Sequence, residues 1–198
     1  MRLVAADLCI DRGGRRILSG VSFVLEAGAL LVTGANGTGK SSLLRVLAGL
    51  LPAVEGRVTI EGGDGIEPPF HYLGHRDGLK PQLTARENLA FAAGFLGGEG
   101  DPDAALAAFG LELAANAPVA WLSQGQKRRV ALARLLIAPR PLWLLDEPTA
   151  GLDNASVARF EQIAEAHVAA GGLIVAATHA PLRFATRELR LGVMEDCE

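Results

Sequence analysis

Cysteine, net charge and long apolar runs are all scarce in this sequence, and each shortage excludes something. The two cysteines, Cys9 and Cys197, stand near opposite ends of the chain. They make neither a disulfide framework nor a metal-binding spacing, and a reducing compartment suits them. Lysine and arginine total 19 against 22 acidic residues, a net charge of −3. That balance disfavours a general nucleic-acid-binding surface. No apolar run approaches the roughly 20 residues of a membrane-spanning helix. No apolar stretch of the kind that marks a secretory signal follows Arg2. The expectation is a cytoplasmic protein, unless a partner carries it to a membrane.

What is present is a strongly apolar chain of 198 residues, 49% hydrophobic and 21% charged. That supports the core of one substantial domain, with room for an inserted subdomain. Its Ala-rich helical stretches suggest a face that expects a partner. Residues 1–33 read as strands, with "GVSFVL" alternating and Gly28 turning the chain before "ALLVT". "SSLLRVLAGLL" (residues 41–51) reads as a helix with Leu43, Leu44, Leu47 and Leu51 on one side. After the short strand "GRVTI" and a Gly/Pro-rich connector, Thr84 and Glu87 have capping-box spacing before a helix. Asp101 and Pro102 sit where a cap and a first helical residue belong. "KRRVALARLLIA" continues as helix to Pro139. Residues 85–140 are therefore expected to form a helical subdomain, inserted between 1–84 and 141–198 of an α/β core. In the second core segment, "PLWLLDE" and "GLIVAAT" read as strands around a helix, and "PLRFAT" as the start of a short terminal helix. Nearly wholly apolar strands alternating with helices indicate a parallel sheet covered on both faces.

"GANGTGKS", Gly34 to Ser41, follows the strand "LLVT" and precedes a helix. That is the context of a phosphate-binding loop. Gly34, Gly37 and Gly39 allow the backbone N–H groups to converge on phosphate oxygens, and the helix N-terminus adds its dipole. Lys40 supplies charge to the β- and γ-phosphates, and Ser41 offers a hydroxyl to Mg2+. Gly34, Ala35, Asn36, Gly37, Thr38, Gly39, Lys40, Ser41 and Ser42 are thus the candidate nucleotide cradle. "LWLLDE" brings Asp146 to the C-terminal edge of a buried strand, where parallel sheets bind ligands. Asp146 is the candidate Mg2+ holder through water. Glu147 stands one residue further on, where a general base would polarise the attacking water. His179 ends another apolar strand at the same edge, in reach of a γ-phosphate; a structural or surface histidine is the alternative.

"GANGTGKS", "LSQGQKRRVALAR", "LLDEPTAGLD" and "ATH" occur in that order. Together they resemble the nucleotide-binding subunit of ATP-binding-cassette transporters, over essentially the whole chain. The resemblance implies an α/β P-loop NTPase fold. It has a mostly parallel central sheet, an antiparallel N-terminal β subdomain and an inserted helical signature subdomain. It makes Leu122 to Gln126 the signature, Asp146 and Glu147 the magnesium and catalytic acids, Asp153 a residue of the dimer-contacting loop, and His179 the switch histidine. It also implies a head-to-tail homodimer, in which Ser123, Gly125 and Gln126 of one chain cap the ATP cradled by the other.

This sequence departs from the family pattern in places. Gln124 replaces the commoner glycine and is tolerable if its side chain points away. His75 occupies the place of a glutamine that usually joins the metal site to the membrane subunits. It is a candidate for the same duty, with a solvated loop histidine as the plainer reading. No aromatic near residues 11–16 covers the adenine, which leaves Arg12 or Arg15 to stack on it. The basic run Lys127–Arg129 opposes the helix dipole. Lys127 and Arg129 are expected to be solvated, and Arg128 is left open.

The Gly74–His75 pair, the altered signature, the compact length and the "GVSFVLEAG" opening look most like one branch of the family. That branch is the ATP-binding subunit of bacterial cytochrome c maturation, the haem exporter type. It implies integral membrane partners and a peripheral position on the cytoplasmic face of the inner membrane. There is no Cys-x-x-Cys-His motif and no obvious haem-ligand pair, so no haem is expected on this chain. The competing readings are the ATPase of another small transporter, a soluble nucleic-acid or translation ATPase, and a scaffold that binds nucleotide without hydrolysing it.

Overall fold

The computed structural model describes residues 1–62 and 65–192. Cys197 lies outside the described residues. Strands β1 (Arg2–Arg12), β2 (Arg15–Leu25) and β4 (Glu55–Glu61) form an antiparallel sheet in the order β2-β1-β4. Gly13 and Gly14, at φ of 61° and 78°, join β1 to β2 directly beyond the Arg12–Arg15 pair. Positive φ at both central residues gives the hairpin turn whose twist matches its strands.

Strands β3 (Gly28–Thr33), β5 (Phe70–Leu73), β6 (Leu142–Asp146), β7 (Leu173–Ala177) and β8 (Arg187–Arg190) form the second sheet. Its order is β5-β6-β7-β3-β8, and every pairing is parallel. The central strands explain their apolar runs. Leu30, Val32, Leu142, Leu144, Leu173 and Val175 enter one core, shared with the antiparallel sheet and the helix α1 (Lys40–Leu47). Their neighbours Ala29, Trp143, Leu145, Ile174 and Ala176 enter another, on the opposite side. With two buried faces, period-two alternation leaves no polar position.

The second core is shared with α2 (Ala85–Leu96), α3 (Pro102–Ala108), α4 (Gln124–Ile137) and α5 (Asn154–Ala169). The caps read from sequence are present. Thr84 and Glu87 form a capping box, and Asp101 caps a helix with Pro102 in its first turn.

Two expectations need correction. The helix expected to reach Leu51 ends at Leu47. Gly49 takes φ 66°, and the N–H groups of Gly49 and Leu50 donate to Val46 O and Arg45 O. This left-handed cap satisfies the last carbonyls and ends the helix. "PLRFAT" opens no helix; it is a turn leading into β8. Thr186 bridges back to Ala29, its N–H donating to Ala29 O at 3.0 Å and its Oγ1 accepting from Ala29 N at 3.0 Å. Open backbone groups at the edge of β3 outcompete a short terminal helix.

Candidate active site

The strand order makes the site. β5, β6, β7 and β3 are neighbours in that order, so the segments at their C-terminal ends lie side by side. They carry His75, the Asp146–Glu147 pair, His179 and the loop from Gly34 to Lys40. A cavity of about 360 Å³ at this edge is lined by Asn36, Gly37, Lys40, Ser41, Asp146 and Glu147, among others, and by His75 and Arg12. Asn36 and Gly37 are exposed, whereas Thr38 and Lys40 are buried.

The loop geometry explains its glycines. Gly39 has φ 96°, and a Cβ there would meet Ile17 Cγ2 at 2.7 Å. Gly37 has φ 85° and nothing within 4 Å of the place a Cβ would take. The first fixes the loop against β2; the second leaves its backbone open to a ligand. Thr38 donates from Oγ1 to Ala35 O at 2.9 Å, closing the curl.

Lys40 is the first residue of α1, and its ammonium donates to Gly34 O at 2.8 Å and Ala35 O at 3.0 Å. It also lies 3.1 Å from His179 Nε2. That nitrogen is 2.7 Å from Asn36 Oδ1 and 3.7 Å from Glu147 Oε1. The contacts ask opposite things of one nitrogen, which must accept from Lys40 yet donate to the two oxygens.

Ser41 donates from Oγ to Asp146 Oδ1 at 3.0 Å. Asp146 is buried, and its Oδ2 has no hydrogen-bond partner among the described residues. A buried, unpaired carboxylate oxygen beside a hydroxyl is suited to a hard cation. Glu147 stands at φ 48°, with its N–H donating to Ala177 O at 2.7 Å. A non-glycine residue in the left-handed region is costly and is held only by its surroundings.

The signature residues are elsewhere. Ser123 caps α4; its Oγ accepts from Gln126 N at 3.2 Å, and Gln126 Oε1 accepts from Ser123 N at 2.9 Å. A Cβ at Gly125 would stand 2.9 Å from Gly151 O, so this position packs on the loop before Asp153. Asp153 caps α5, and the Ser156 N–H holds its carboxyl below the usual carboxylate range. None of Ser123, Gly125, Gln126 or Asp153 lines the cavity that Lys40 and Asp146 share. Arg12 does, with Ile17; Arg15 does not.

The basic run departs from expectation. Arg129 is not a simply solvated side chain, since it donates to Phe109 O at 3.0 Å and Gly110 O at 3.3 Å. Arg128 is only 4% exposed. Its guanidinium pairs with Asp77 Oδ1 at 3.0 Å and donates to the carbonyls of Gly74, Asp146, Glu147 and Pro148. Gln124 is exposed, and its Nε2 donates to Asp77 Oδ2 at 3.3 Å. Sequence reasoning missed Asp77, because "RDG" reads as a turn.

The ABC transporter family model matches residues 18–150. A cytochrome c biogenesis ATP-binding export protein CcmA from Chelativorans sp. (strain BNC1) is 54% identical over 97% of this chain and 98% of the relative. The protein of the same name from Nitrobacter winogradskyi is 53% identical over the same shares. Among solved structures, an ATP-binding cassette dimer in a post-hydrolysis state with ADP and phosphate has a TM-score of 0.81 and 26% identity. It covers 96% of this chain and 94% of its own. An ATP-binding subunit of an ABC transporter gives a TM-score of 0.84 at 26% identity, covering 96% of this chain and 86% of its own.

Proposed function

The chain belongs to the ABC transporter family and is a transport-coupled ATPase, and from that premise we propose that it energises the membrane complex of cytochrome c biogenesis. The reading rests on relatives of that printed name along nearly the full chain. The work done is haem export or the release of a haem-loaded chaperone, with no haem held by this chain.

The observation that carries the catalytic assignment is the convergence on His179 Nε2 of Lys40, Asn36 and Glu147, at 3.1, 2.7 and 3.7 Å. A γ-phosphate oxygen resolves the conflict at that nitrogen, because it accepts from Lys40 and from a protonated Nε2 together. The backbone N–H groups from Ala35 to Ser42 cradle the phosphates. Glu147 accepts the proton of the attacking water as its oxygen bonds to the γ-phosphorus and the bond to the ADP oxygen breaks. Its strained backbone fixes the carboxylate before the chemistry begins. Ser41 and Asp146 are the residues that fit Mg2+. Bound there, the ion would supply positive charge to offset that of the phosphates. His75, at the mouth of the same cavity, contacts the water, and Arg12 with Ile17 covers the base.

Two chains pair head-to-tail, and Ser123, Gly125 and Gln126 of each cap the ATP on the other. The exposed serine accepts a bond from Gln126 and keeps its own proton for a phosphate oxygen. Asp153 lies on the loop between the chains. Residues 85–140 act as the signature subdomain, set between 1–84 and 141–198. No described helix is long and apolar enough to cross a membrane. The dimer binds integral membrane subunits from the cytoplasmic side of the inner membrane and takes no nucleic acid.

Purification of the tagged chain from membranes, with identification of the proteins bound to it, tests the system. Recovery of cytochrome c maturation subunits is expected. Recovery of another transporter, or of soluble nucleic-acid machinery, would overturn it.

A further inference from the structure

Gln124 is joined through the Asp77 carboxylate and Arg128 to the backbone just before His75. Asp77 Oδ2 accepts from Gln124 Nε2 at 3.3 Å, and Oδ1 accepts from Arg128 Nη1 at 3.0 Å. Gln124 begins the helix behind the signature turn. Arg128, one helical turn later, donates to Gly74 O at 3.0 Å, immediately before His75. Its other nitrogens donate to Asp146 O at 2.6 Å, Glu147 O at 2.8 Å and Pro148 O at 3.2 Å. Arg134, further along the helix, donates to Asp77 O at 2.6 Å.

We propose that Asp77 is a positioning residue for hydrolysis, which through Gln124 and Arg128 ties the signature turn of a chain to the backbone that carries His75 and Glu147 in the same chain. This rests on the reading that the signature serves the other chain's ATP, and it adds a connection between the two nucleotide sites.

The physical argument has two parts. First, Glu147 sits at φ 48°, a conformation that persists only under constraint. Arg128 supplies constraint, because a planar guanidinium fixes several carbonyls at defined angles. Second, the guanidinium is 96% buried by its 4% exposure, and Asp77 is its sole carboxylate partner within 4 Å among the described residues. A buried charge holds its position only while its partner holds. The link to Gln124 lets movement of the signature turn, when it closes on a phosphate, reach the Asp77 carboxylate and through it Arg128.

The test uses the full chain, alone and within its membrane complex, as Asp77→Asn, Gln124→Ala and the double variant. ATP hydrolysis is followed against ATP concentration, and ATP affinity is measured separately in a Glu147→Gln background. The expected result for Asp77→Asn is a fall in kcat of at least about tenfold with ATP affinity within about twofold. Gln124→Ala, a change at an exposed side chain, flattens the dependence on ATP concentration from sigmoidal towards hyperbolic. The double variant is no worse than Asp77→Asn, because both act along one path. Additive losses, or an Asp77→Asn kcat near that of the unaltered chain, would overturn the proposal. If Asp77→Asn melts early, the Gln124→Ala titration alone decides. If the Glu147→Gln parent fails to dimerise with ATP, the shared-site reading fails independently of Asp77.

Discussion

His71 makes the protein sensitive to mild acid, by an amount the structure sets. It lies in β5, paired with Trp143 of β6, and is 7% exposed. Its Nε2 donates to Ala138 O at 2.6 Å, which fixes the neutral ring with its proton on that nitrogen. Burial, foremost, pushes its pKa down from 6.5 to about 4, and the charges of Arg140 and Arg134 push the same way. The unfolded chain therefore binds a proton in the window between those values that the folded chain refuses. Stability is fully present above the unfolded value and falls as the pH drops through the window. Between about pH 8 and about pH 5 the loss from this one group is about 2 kcal/mol. For a domain of this size that is roughly 4–8 °C in melting temperature. His71→Gln keeps a donor for Ala138 O and removes the titration. Thermal melts of both chains across the window give the contribution by difference, so other groups that titrate there cancel. The variant's curve should be flatter than that of the unaltered chain by about this amount. Parallel curves would refute the reasoning and mean that His71 is protonated in the folded state or already shielded in the unfolded one.

Other sites give further expectations. Lys40→Ala removes the ammonium that meets Gly34 O, Ala35 O and His179 Nε2, and ATP affinity measured by titration should fall at least about tenfold; unchanged affinity would remove Lys40 from the phosphate site. Gly125→Val puts side-chain bulk where a Cβ alone would stand 2.9 Å from Gly151 O, so the signature turn and the loop before Asp153 must separate. Its ATPase rate should fall while the isolated chain still binds ATP, and an unaffected rate would mean that their packing is immaterial to turnover.

The fold was legible wherever a residue type has one structural use. The apolar runs of β6 and β7, the Thr84–Glu87 cap and the turns at Gly34, Gly37 and Gly39 each have a single inexpensive solution, and the chain adopts it. β5 was not legible, because four residues, "FHYL", bounded by proline and glycine carry too little periodicity. β8 was missed for a different reason. Its side chains are mostly exposed, and it exists because β3 offers an open edge. The candidate site divides the same way. Lys40, Asp146, Glu147 and His179 stand out by motif; strand order sets the first three around one cavity, with His179 against Lys40 and Glu147. Arg128 and Asp77 are distant in sequence and lie outside the phosphate motifs. Their pairing depends on how α4 crosses the segment after β5, which a single sequence does not encode locally.

The central claim is that each nucleotide is held by two chains, and mixing two variants tests it most directly. Glu147→Gln retains ATP binding but cannot take the proton, and Ser123→Arg blocks the cap that a chain offers its partner. In a dimer of one chain of each kind, the blocked cap faces the ATP of the Glu147→Gln chain. The other site joins an intact Glu147 to an intact Ser123. The account predicts that mixing two inactive homodimers restores hydrolysis at that one complete site. Mixtures that stay as inactive as their parents, although heterodimers form, would contradict it.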